Sequence, residues 1–194
     1  MSQKPLRVGF DLDGVILYNP ARIVRPILSF IKHDVFHKKS VSFYVPKTKT
    51  EQLMWTLAHK TSIFPAYGFR DLKKLIRQHD IEAYIVTGRF NSLKNDFNHW
   101  LNRMNADSFF TDHFHNEKNE QPHLFKKRMI EQLNLDVFVE DNYDIVTYLN
   151  KELKNTKVLW IYNFLDRTLP YPYKFPHLKH AIDHIKKDLK KGEK

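Results

Sequence analysis

The chain has 194 residues, of which 42% are hydrophobic and 14% aromatic, with no cysteine and a formal net charge of +10. This composition supports one substantial core and excludes a disordered chain, a disulfide framework and a thiolate zinc site. No apolar run approaches the roughly 20 residues that span a bilayer, and the N-terminus lacks the apolar stretch of a signal peptide. We therefore expect a soluble, cytoplasmic protein with no membrane partner.

The positive charge fits either a polyanion such as nucleic acid or a small phosphorylated substrate. Many of the lysines lie in the stretch IKKDLKKGEK, which indicates a solvated surface, and no clustered aromatic and basic platform is evident. A small phosphorylated metabolite is the expected partner, and nucleic acid is not expected. A basic nucleic-acid-binding or scaffold protein that keeps the same fold is the alternative, and the oligomeric state stays open.

Strand and helix patterns alternate along most of the chain. Apolar runs predict buried strands at residues 6–12, 81–89, 135–141 and 156–162, and a weaker strand at 107–112. Apolar residues at helical spacing predict helices at 69–79, 91–104, 122–133, 142–153 and 175–191. This alternation predicts an α/β fold with a Rossmann-like, doubly wound parallel sheet.

Residues 19–66 interrupt the alternation. They contain two helical patterns, at 20–36 and 49–60, and no convincing buried strand. We expect a small helical cap inserted after the first strand, with residues 1–18 and 67–194 forming the core domain.

Polar side chains follow three of the predicted strands, where ligands bind in open parallel sheets. The first strand ends in Asp11 and Asp13, and the second delivers Thr87, Gly88 and Arg89. Glu140 and Asp141 end the fourth strand, and Lys126 or Lys127 lies in the preceding helix.

Four carboxylates that converge on one rim would repel each other unless a cation lies between them. An all-oxygen donor set favours Mg²⁺ over zinc, and a hydroxyl, a Gly turn and an ammonium group suit an anion. A calcium loop is excluded, because Val15, Ile16 and Arg22 stand where that loop needs an acid or Asn, Gly and Glu. A divalent cation beside an anion pocket and a free carboxylate is the arrangement that phosphoryl transfer needs, so these residues indicate that reaction.

Four motifs resemble those of the haloacid dehalogenase-like (HAD) hydrolases, most of which are Mg²⁺-dependent phosphatases. FDLDGVI is similar to their first motif, YIVTGR to the second and VFVEDN to the fourth, and Lys126 matches the isolated basic residue of the third better than Lys127 does. The resemblance covers nearly the whole chain outside residues 19–66, a location at which relatives carry a cap.

The resemblance implies a role for each matched residue. Asp11 would be the nucleophile that forms an aspartyl-phosphate, and Asp13 the general acid and then the base. Thr87, Gly88 and Lys126 would hold the phosphoryl oxygens. Mg²⁺ would bind Asp11, the backbone carbonyl of Asp13, and Asp141, with Glu140 in support.

The acidic pair departs from the family pattern, since many relatives carry two Asp or Gly-Asp where this chain has Glu140 and Asp141. Asp141 is therefore the safer ligand. Asp144 would either contribute to the metal site or lie in the first turn of the next helix, where the helix dipole favours an acidic residue, and we expect the second. We also expect negative charge near Asp13, including that of the substrate phosphate, to favour its protonated form.

Two further features concern the substrate and other metals. VFVEDN followed by VLWIYN resembles the 5′-nucleotidase and deoxyribonucleotidase branch, which favours nucleotides over sugar phosphates. Aromatic residues of the insertion would either stack on a base or fill the cap core: Phe30, Phe36, Phe43, Tyr44 and Trp55. The histidines at 113, 115, 177, 180 and 184 lack an accompanying acid or Cys cluster, so they are expected on the surface rather than at a metal.

Overall fold

The structure, a computed structural model, describes residues 5–20, 42–62, 64–78 and 80–192. The strands are β1 (Leu6–Phe10), β2 (Leu17–Tyr18), β3 (Phe64–Pro65), β4 (Ile81–Phe90), β5 (Asp112–Asn116), β6 (Val137–Glu140), β7 (Lys157–Ile161) and β8 (Lys174–Phe175). The helices are α1 (Lys49–His59), α2 (Phe69–Arg77), α3 (Lys94–Met104), α4 (Pro122–Gln132), α5 (Tyr143–Glu152) and α6 (Leu178–Gly192).

Six strands form one sheet in the order β5-β4-β1-β6-β7-β8, and every neighbouring pair is parallel. The chain builds this sheet outward from β1, first to one edge and then to the other, which is the Rossmann-like order. The predicted α/β, doubly wound parallel sheet is confirmed. β2 and β3 pair antiparallel and bracket the start and end of the region predicted to be an insertion.

Two hydrophobic layers cover the sheet, because successive strand residues point to opposite faces. Ala83 and Ile85 of β4 pack with residues of α2, α3 and α6, whereas Tyr84 and Val86 pack with residues of α4 and α5. Strands buried on both faces explain the nearly continuous apolar runs in the sequence. No helix in these described ranges combines the length and the apolar character needed to cross a membrane.

Local signals fix several helix ends. Pro122 occupies the first turn of α4, where its missing N–H needs no partner. Asn142 caps α5 by accepting bonds from the N–H groups of Asp144 and Ile145. Asp144 lies in the first turn of α5, as expected from the helix dipole.

The weak strand predicted at 107–112 is wrong. Residues Ala106–Ser108 form a 3₁₀ turn and the strand is Asp112–Asn116. Phe109 packs its ring edge-on against Phe69 of α2, with 6.0 Å between the ring centroids. The phenylalanine that suggested a strand therefore contacts a helix instead. β5 lies at the sheet edge and is only partly buried, which explains its polar sequence.

The other predicted elements agree with the structure to within a few residues, and the short strands β2, β3 and β8 are additions that the sequence did not predict. The helix expected at 49–60 is α1, whereas the one expected at 20–36 falls almost entirely outside the described residues. The last helix begins at Leu178 rather than Phe175, because Lys174 and Phe175 form the edge strand β8, which the sequence did not predict.

Candidate active site

Side chains from β1, β4, β6 and α4 meet at the carboxyl edge of the sheet. A cavity of about 320 Å³ there is lined by Asp11, Asp13, Thr87, Gly88, Lys126 and Glu140, among others. It lies where the chain crosses from one side of β1 to the other, the position at which open α/β sheets bind ligands. The topology therefore brings residues from across the sequence into one site.

Asp11, Glu140 and Asp141 form a buried acidic cluster, in which each residue offers a carboxylate oxygen within 4.8 Å of the others. Burial raises the pKa of Asp11, and Asp141 and Asp13 add to this while Lys126 opposes it. Burial also raises the pKa of Glu140 to about 8, again against the effect of Lys126. Within the cluster three carboxyl groups share one ammonium group, that of Lys126, and their oxygen donors fit a hard divalent cation such as Mg²⁺.

Lys126 extends from α4 into this cluster. Its Nζ lies 2.9 Å from Asp11 Oδ2 and 2.6 Å from Glu140 Oε2. Burial alone would lower the pKa of Lys126, but the charges of Asp11 and Glu140 outweigh burial and raise it. Of the two lysines that the sequence left open, Lys126 is therefore the one in the site, whereas Lys127 lies on the surface beside Glu131 and Glu152.

A tight loop after β1 positions the two aspartates. The Asp11 N–H donates to the Val139 carbonyl at 2.9 Å, which extends the pairing of β1 with β6. Gly14 then adopts a φ of 84°, and a Cβ at this position would lie 2.2 Å from Asp141 Oδ2. Only glycine allows the loop to turn this closely over Asp141.

Thr87 and Gly88 lie in β4 next to a break in its pairing with β5. Thr87 pairs with His115, and the register shifts before Phe90 pairs with Asn116. A Cβ on Gly88 would lie 3.1 Å from Pro122 Cβ, so the start of α4 lies close to this backbone. Irregular pairing of this kind redirects side chains, and Arg89, which follows, points into the interior at 2% exposure.

Arg89 pairs with Asp13 through two parallel hydrogen bonds. Its Nε donates to Asp13 Oδ2 at 2.7 Å and its Nη2 to Asp13 Oδ1 at 2.8 Å. Burial would raise the pKa of Asp13, but Arg89, with smaller contributions from His59 and Ser62, holds the pKa well below its usual range. The expectation that negative neighbours favour protonation of Asp13 is therefore wrong for the protein alone, because its nearest charged neighbour is a cation.

Aromatic side chains form a further part of the cavity wall. Phe43, Tyr44 and Trp55 line it together with Phe90 and His59. The Trp55 ring centroid lies 6.3 Å from that of Tyr44 and 6.4 Å from that of Phe90. Phe30 and Phe36, the other two aromatic candidates, lie outside the described residues.

No protein-family model matches the chain, and no curated protein sequence is significantly similar to it. Solved structures do share its fold. A HAD-superfamily hydrolase from Ehrlichia chaffeensis has a TM-score of 0.54 at 12% identity, over 96% of this chain and 98% of that one. YfnB from Bacillus subtilis, solved with bound magnesium, has a TM-score of 0.57 at 14% identity, over 94% of this chain and 99% of its own. CbbY from Rhodobacter sphaeroides, in complex with phosphate, has a TM-score of 0.53 at 11% identity, over 92% of this chain and 96% of its own.

The chain has the fold of the HAD-superfamily hydrolases. The four sequence motifs resembled those of the HAD hydrolases, and the fold that this resemblance predicted is confirmed. In the HAD fold of this chain, the matched residues of all four motifs lie at one edge of the sheet.

Sequence reasoning missed several polar residues of this HAD-fold site. It noted Arg89 without assigning it a role, and it did not single out Ser62, Asp96 or His59. Ser62 and Arg89 bind Asp13 from 49 and 76 residues away, so no local pattern links them to it, and Asp96 enters the site only through its bond to Arg89.

The histidines outside the cavity differ from expectation at one position. His115 has a side chain only 8% exposed, packed 5.2 Å from the Phe97 ring, so its assignment to the surface is wrong. His177 and His180 are exposed, and His184 is half-buried against Phe175. Within the described part of the chain, the acidic cluster is the one group of three or more side chains arranged to hold a metal.

Proposed function

We propose that this protein belongs to the HAD-superfamily hydrolases and is a Mg²⁺-dependent phosphatase. It would hydrolyse a small phosphomonoester through an aspartyl-phosphate on Asp11, with nucleotides favoured over sugar phosphates. The observation that carries the proposal is that Asp11, Thr87 and Lys126 line one cavity, and that Asp11 also forms the acidic cluster with Glu140 and Asp141.

Asp11 would attack phosphorus with a carboxylate oxygen while the bond to the leaving oxygen breaks. Water would then attack the same phosphorus, and the bond to Asp11 would break to release inorganic phosphate. Thr87, the backbone at Gly88 and Lys126 would hold the other phosphoryl oxygens. The Lys126 ammonium, already beside Asp11, would offset the charge on the transferring group.

The metal would be held by Asp11, Asp141 and the backbone carbonyl of Asp13. Glu140 would support them, since its Oε1 accepts bonds from the N–H groups of Asp141 and Asn142 and its Oε2 from Lys126. Bound Mg²⁺ would supply positive charge at the phosphoryl oxygens and at the buried carboxylates.

Asp13 would transfer the protons of both steps, first to the leaving alkoxide and then from the attacking water. Arg89 keeps its pKa low in the protein alone. The dianionic phosphate of a substrate acts in the opposite direction and raises the pKa of a nearby carboxyl group. Protonation of Asp13 would therefore be linked to occupation of the cavity.

The aromatic wall supports the preference for nucleotides. With a phosphate at Thr87 and Lys126, the rest of the substrate would occupy the remaining cavity, whose lining includes Phe43, Tyr44 and Trp55. Planar bases stack on such rings whatever their hydrogen-bonding pattern, whereas a sugar phosphate has no comparable flat face.

Phosphate release from p-nitrophenyl phosphate and from a metabolite panel tests the activity. We expect release that requires Mg²⁺, stops with EDTA and is lost in Asp11→Asn. Asp183→Asn, on the surface of α6, is the matched control and should keep full activity. Release from no substrate, or equal release by Asp11→Asn, would overturn the proposal.

Trp55→Ala tests the substrate preference. Loss of one stacking contact should raise the KM for nucleoside monophosphates about 5- to 100-fold and change that for sugar phosphates by less than about 2-fold. Phe164→Ala removes a ring that is 70% exposed and does not line the cavity, so it should change neither value. An equal effect of Trp55→Ala on both substrate classes would contradict the nucleotide preference.

A further inference from the structure

Arg89 is a buried cation of the site to which the chemistry proposed above gives no part. Its guanidinium uses Nε and Nη2 on the two oxygens of Asp13, and its Nη1 donates to Asp96 Oδ2 at 2.5 Å. The Arg89 side chain is 1% exposed, and the side chains of Asp13 and Asp96 are 5% and 17% exposed. The three residues form an ion triad that spans β4, the loop after β1, and α3.

The triad restrains the Asp13 carboxylate in one plane. A guanidinium and a carboxylate that share two parallel hydrogen bonds must stay nearly coplanar. Ser62 adds a third bond, from its hydroxyl to Asp13 Oδ1 at 2.6 Å, from the end of the segment that follows α1. Asp13 is therefore held on two sides while it lines the same cavity as Asp11.

Asp96 holds Arg89 in turn. The bond to Nη1 uses the edge of the guanidinium that faces away from Asp13. Two carboxylates on one buried cation also offset its loss of hydration. Lysine could not replace arginine here, because one ammonium group cannot bind both oxygens of Asp13 in a plane and also reach Asp96.

We propose that Arg89 is a positioning residue for phosphoryl transfer, which fixes the orientation of the Asp13 carboxylate in the cavity and is itself fixed by Asp96. The proposal rests on the phosphatase function proposed above. Arg89 acts through Asp13, so its removal should lower kcat and leave Mg²⁺ affinity and KM nearly unchanged. Asp11, Lys126 and the acidic cluster keep their own contacts without it.

Steady-state kinetics of Arg89→Lys and Arg89→Ala with an alkyl phosphomonoester test the role. We expect kcat to fall about 10-fold or more in Arg89→Lys and about 100-fold or more in Arg89→Ala, because misplacement of a catalytic group by about 1 Å costs about 10²-fold. Millimolar guanidinium chloride should restore part of the kcat of Arg89→Ala, whereas methylammonium chloride at equal ionic strength should not. If Arg89 had only a structural role, guanidinium would not restore kcat any better than methylammonium does.

Two variants serve as controls. Asp96→Asn keeps both bonds between Arg89 and Asp13 and should lower kcat by less than Arg89→Lys does. Arg128→Lys changes an exposed arginine of α4 that pairs with Glu120 and should leave kcat unchanged. If Arg89→Ala does not fold, Arg89→Lys, which keeps the charge, decides the question.

Full kcat in Arg89→Lys, or a loss of kcat in a folded Arg89→Ala that guanidinium does not restore, would overturn the positioning role while leaving the phosphatase in place. A wild-type protein that releases no phosphate from any substrate would instead overturn the proposed function, and the positioning role with it.

Discussion

The Lys126 ammonium lies 2.9 Å from Asp11 Oδ2, at the centre of a buried cluster in which carboxylates outnumber cations. The lysine comes from α4 and the aspartate from the end of β1, so the contact is made by the packing of α4 on the sheet. The contact makes Lys126 the internal counter-charge of the acidic cluster, and we expect it to govern how the cluster responds to mutation and pH.

Lys126→Met should destabilise the metal-free protein. The substitution leaves Asp11 and Glu140 buried without their shared cation, a change that costs about 3–5 kcal/mol of unfolding free energy. Urea denaturation in EDTA measures this cost. Lys127→Met is the matched control, because the neighbouring lysine lies on the surface and its loss should cost less than about 0.5 kcal/mol. Equal stability of the two variants would contradict the account of Lys126.

Stability of the metal-free protein should fall as pH rises from about 5 to 8. The pKa of Glu140 is raised from 4.5 to about 8, so the folded state holds a proton that the unfolded state has released in this window. The contribution of Glu140 is complete below pH 4.5 and is lost as pH rises through 8, with a slope of at most about 1.4 kcal/mol per pH unit.

Unfolding free energies measured across that pH range, with EDTA and with Mg²⁺, check this prediction. Saturating Mg²⁺ should reduce the slope, because a cation stabilises the ionised carboxylates. Glu140→Gln should have a shallower slope in EDTA than the wild type. A slope of the opposite sign, or one that Mg²⁺ leaves unchanged, would be inconsistent with the buried acidic cluster.

Gly14→Ala should weaken the binding of Mg²⁺ by about 10-fold or more, since the new Cβ would lie 2.2 Å from Asp141 Oδ2 and displace that carboxylate. The positive φ at Gly14 adds about 1–2 kcal/mol of strain. Isothermal titration calorimetry measures the affinity. Gly9→Ala places a Cβ against Leu135 and Phe138 instead, so it should lower stability and spare Mg²⁺ binding. If both variants bind Mg²⁺ equally well, Gly14 does not support Asp141.

Thr87→Val should lower kcat/KM about 10- to 100-fold, because it removes a hydroxyl whose hydrogen bond to a charged phosphoryl oxygen contributes about 1.5–3 kcal/mol. Valine keeps the shape of the side chain, and the site is buried, so the fold should persist. Thr87→Ser keeps the hydroxyl and should stay within about 3-fold of the wild type. Steady-state kinetics and competitive inhibition by inorganic phosphate provide the measurement. A Ser variant as impaired as the Val variant would contradict the account, because it would show that keeping the hydroxyl does not preserve the function of Thr87.

The sequence by itself determined the sheet and the residues at its carboxyl edge. Strands buried on both faces must be apolar throughout, so β1, β4, β6 and β7 stand out as apolar runs. Parallel strands end at the same edge, which places Asp11, Thr87 and Glu140 together before any coordinates are known. Edge strands carry a weaker signal because half their surface meets solvent, and for this reason β5 was misplaced and β8 was missed.

Only the tertiary structure decided the electrostatics of Asp13. Its partner Arg89 is 76 residues away and its partner Ser62 is 49 residues away, so no spacing rule links them. The sequence showed an aspartate among acids and predicted a raised pKa, whereas the folded chain places a guanidinium against it and the pKa falls. The strength of a charge interaction depends on distance and burial, and chain folding fixes both.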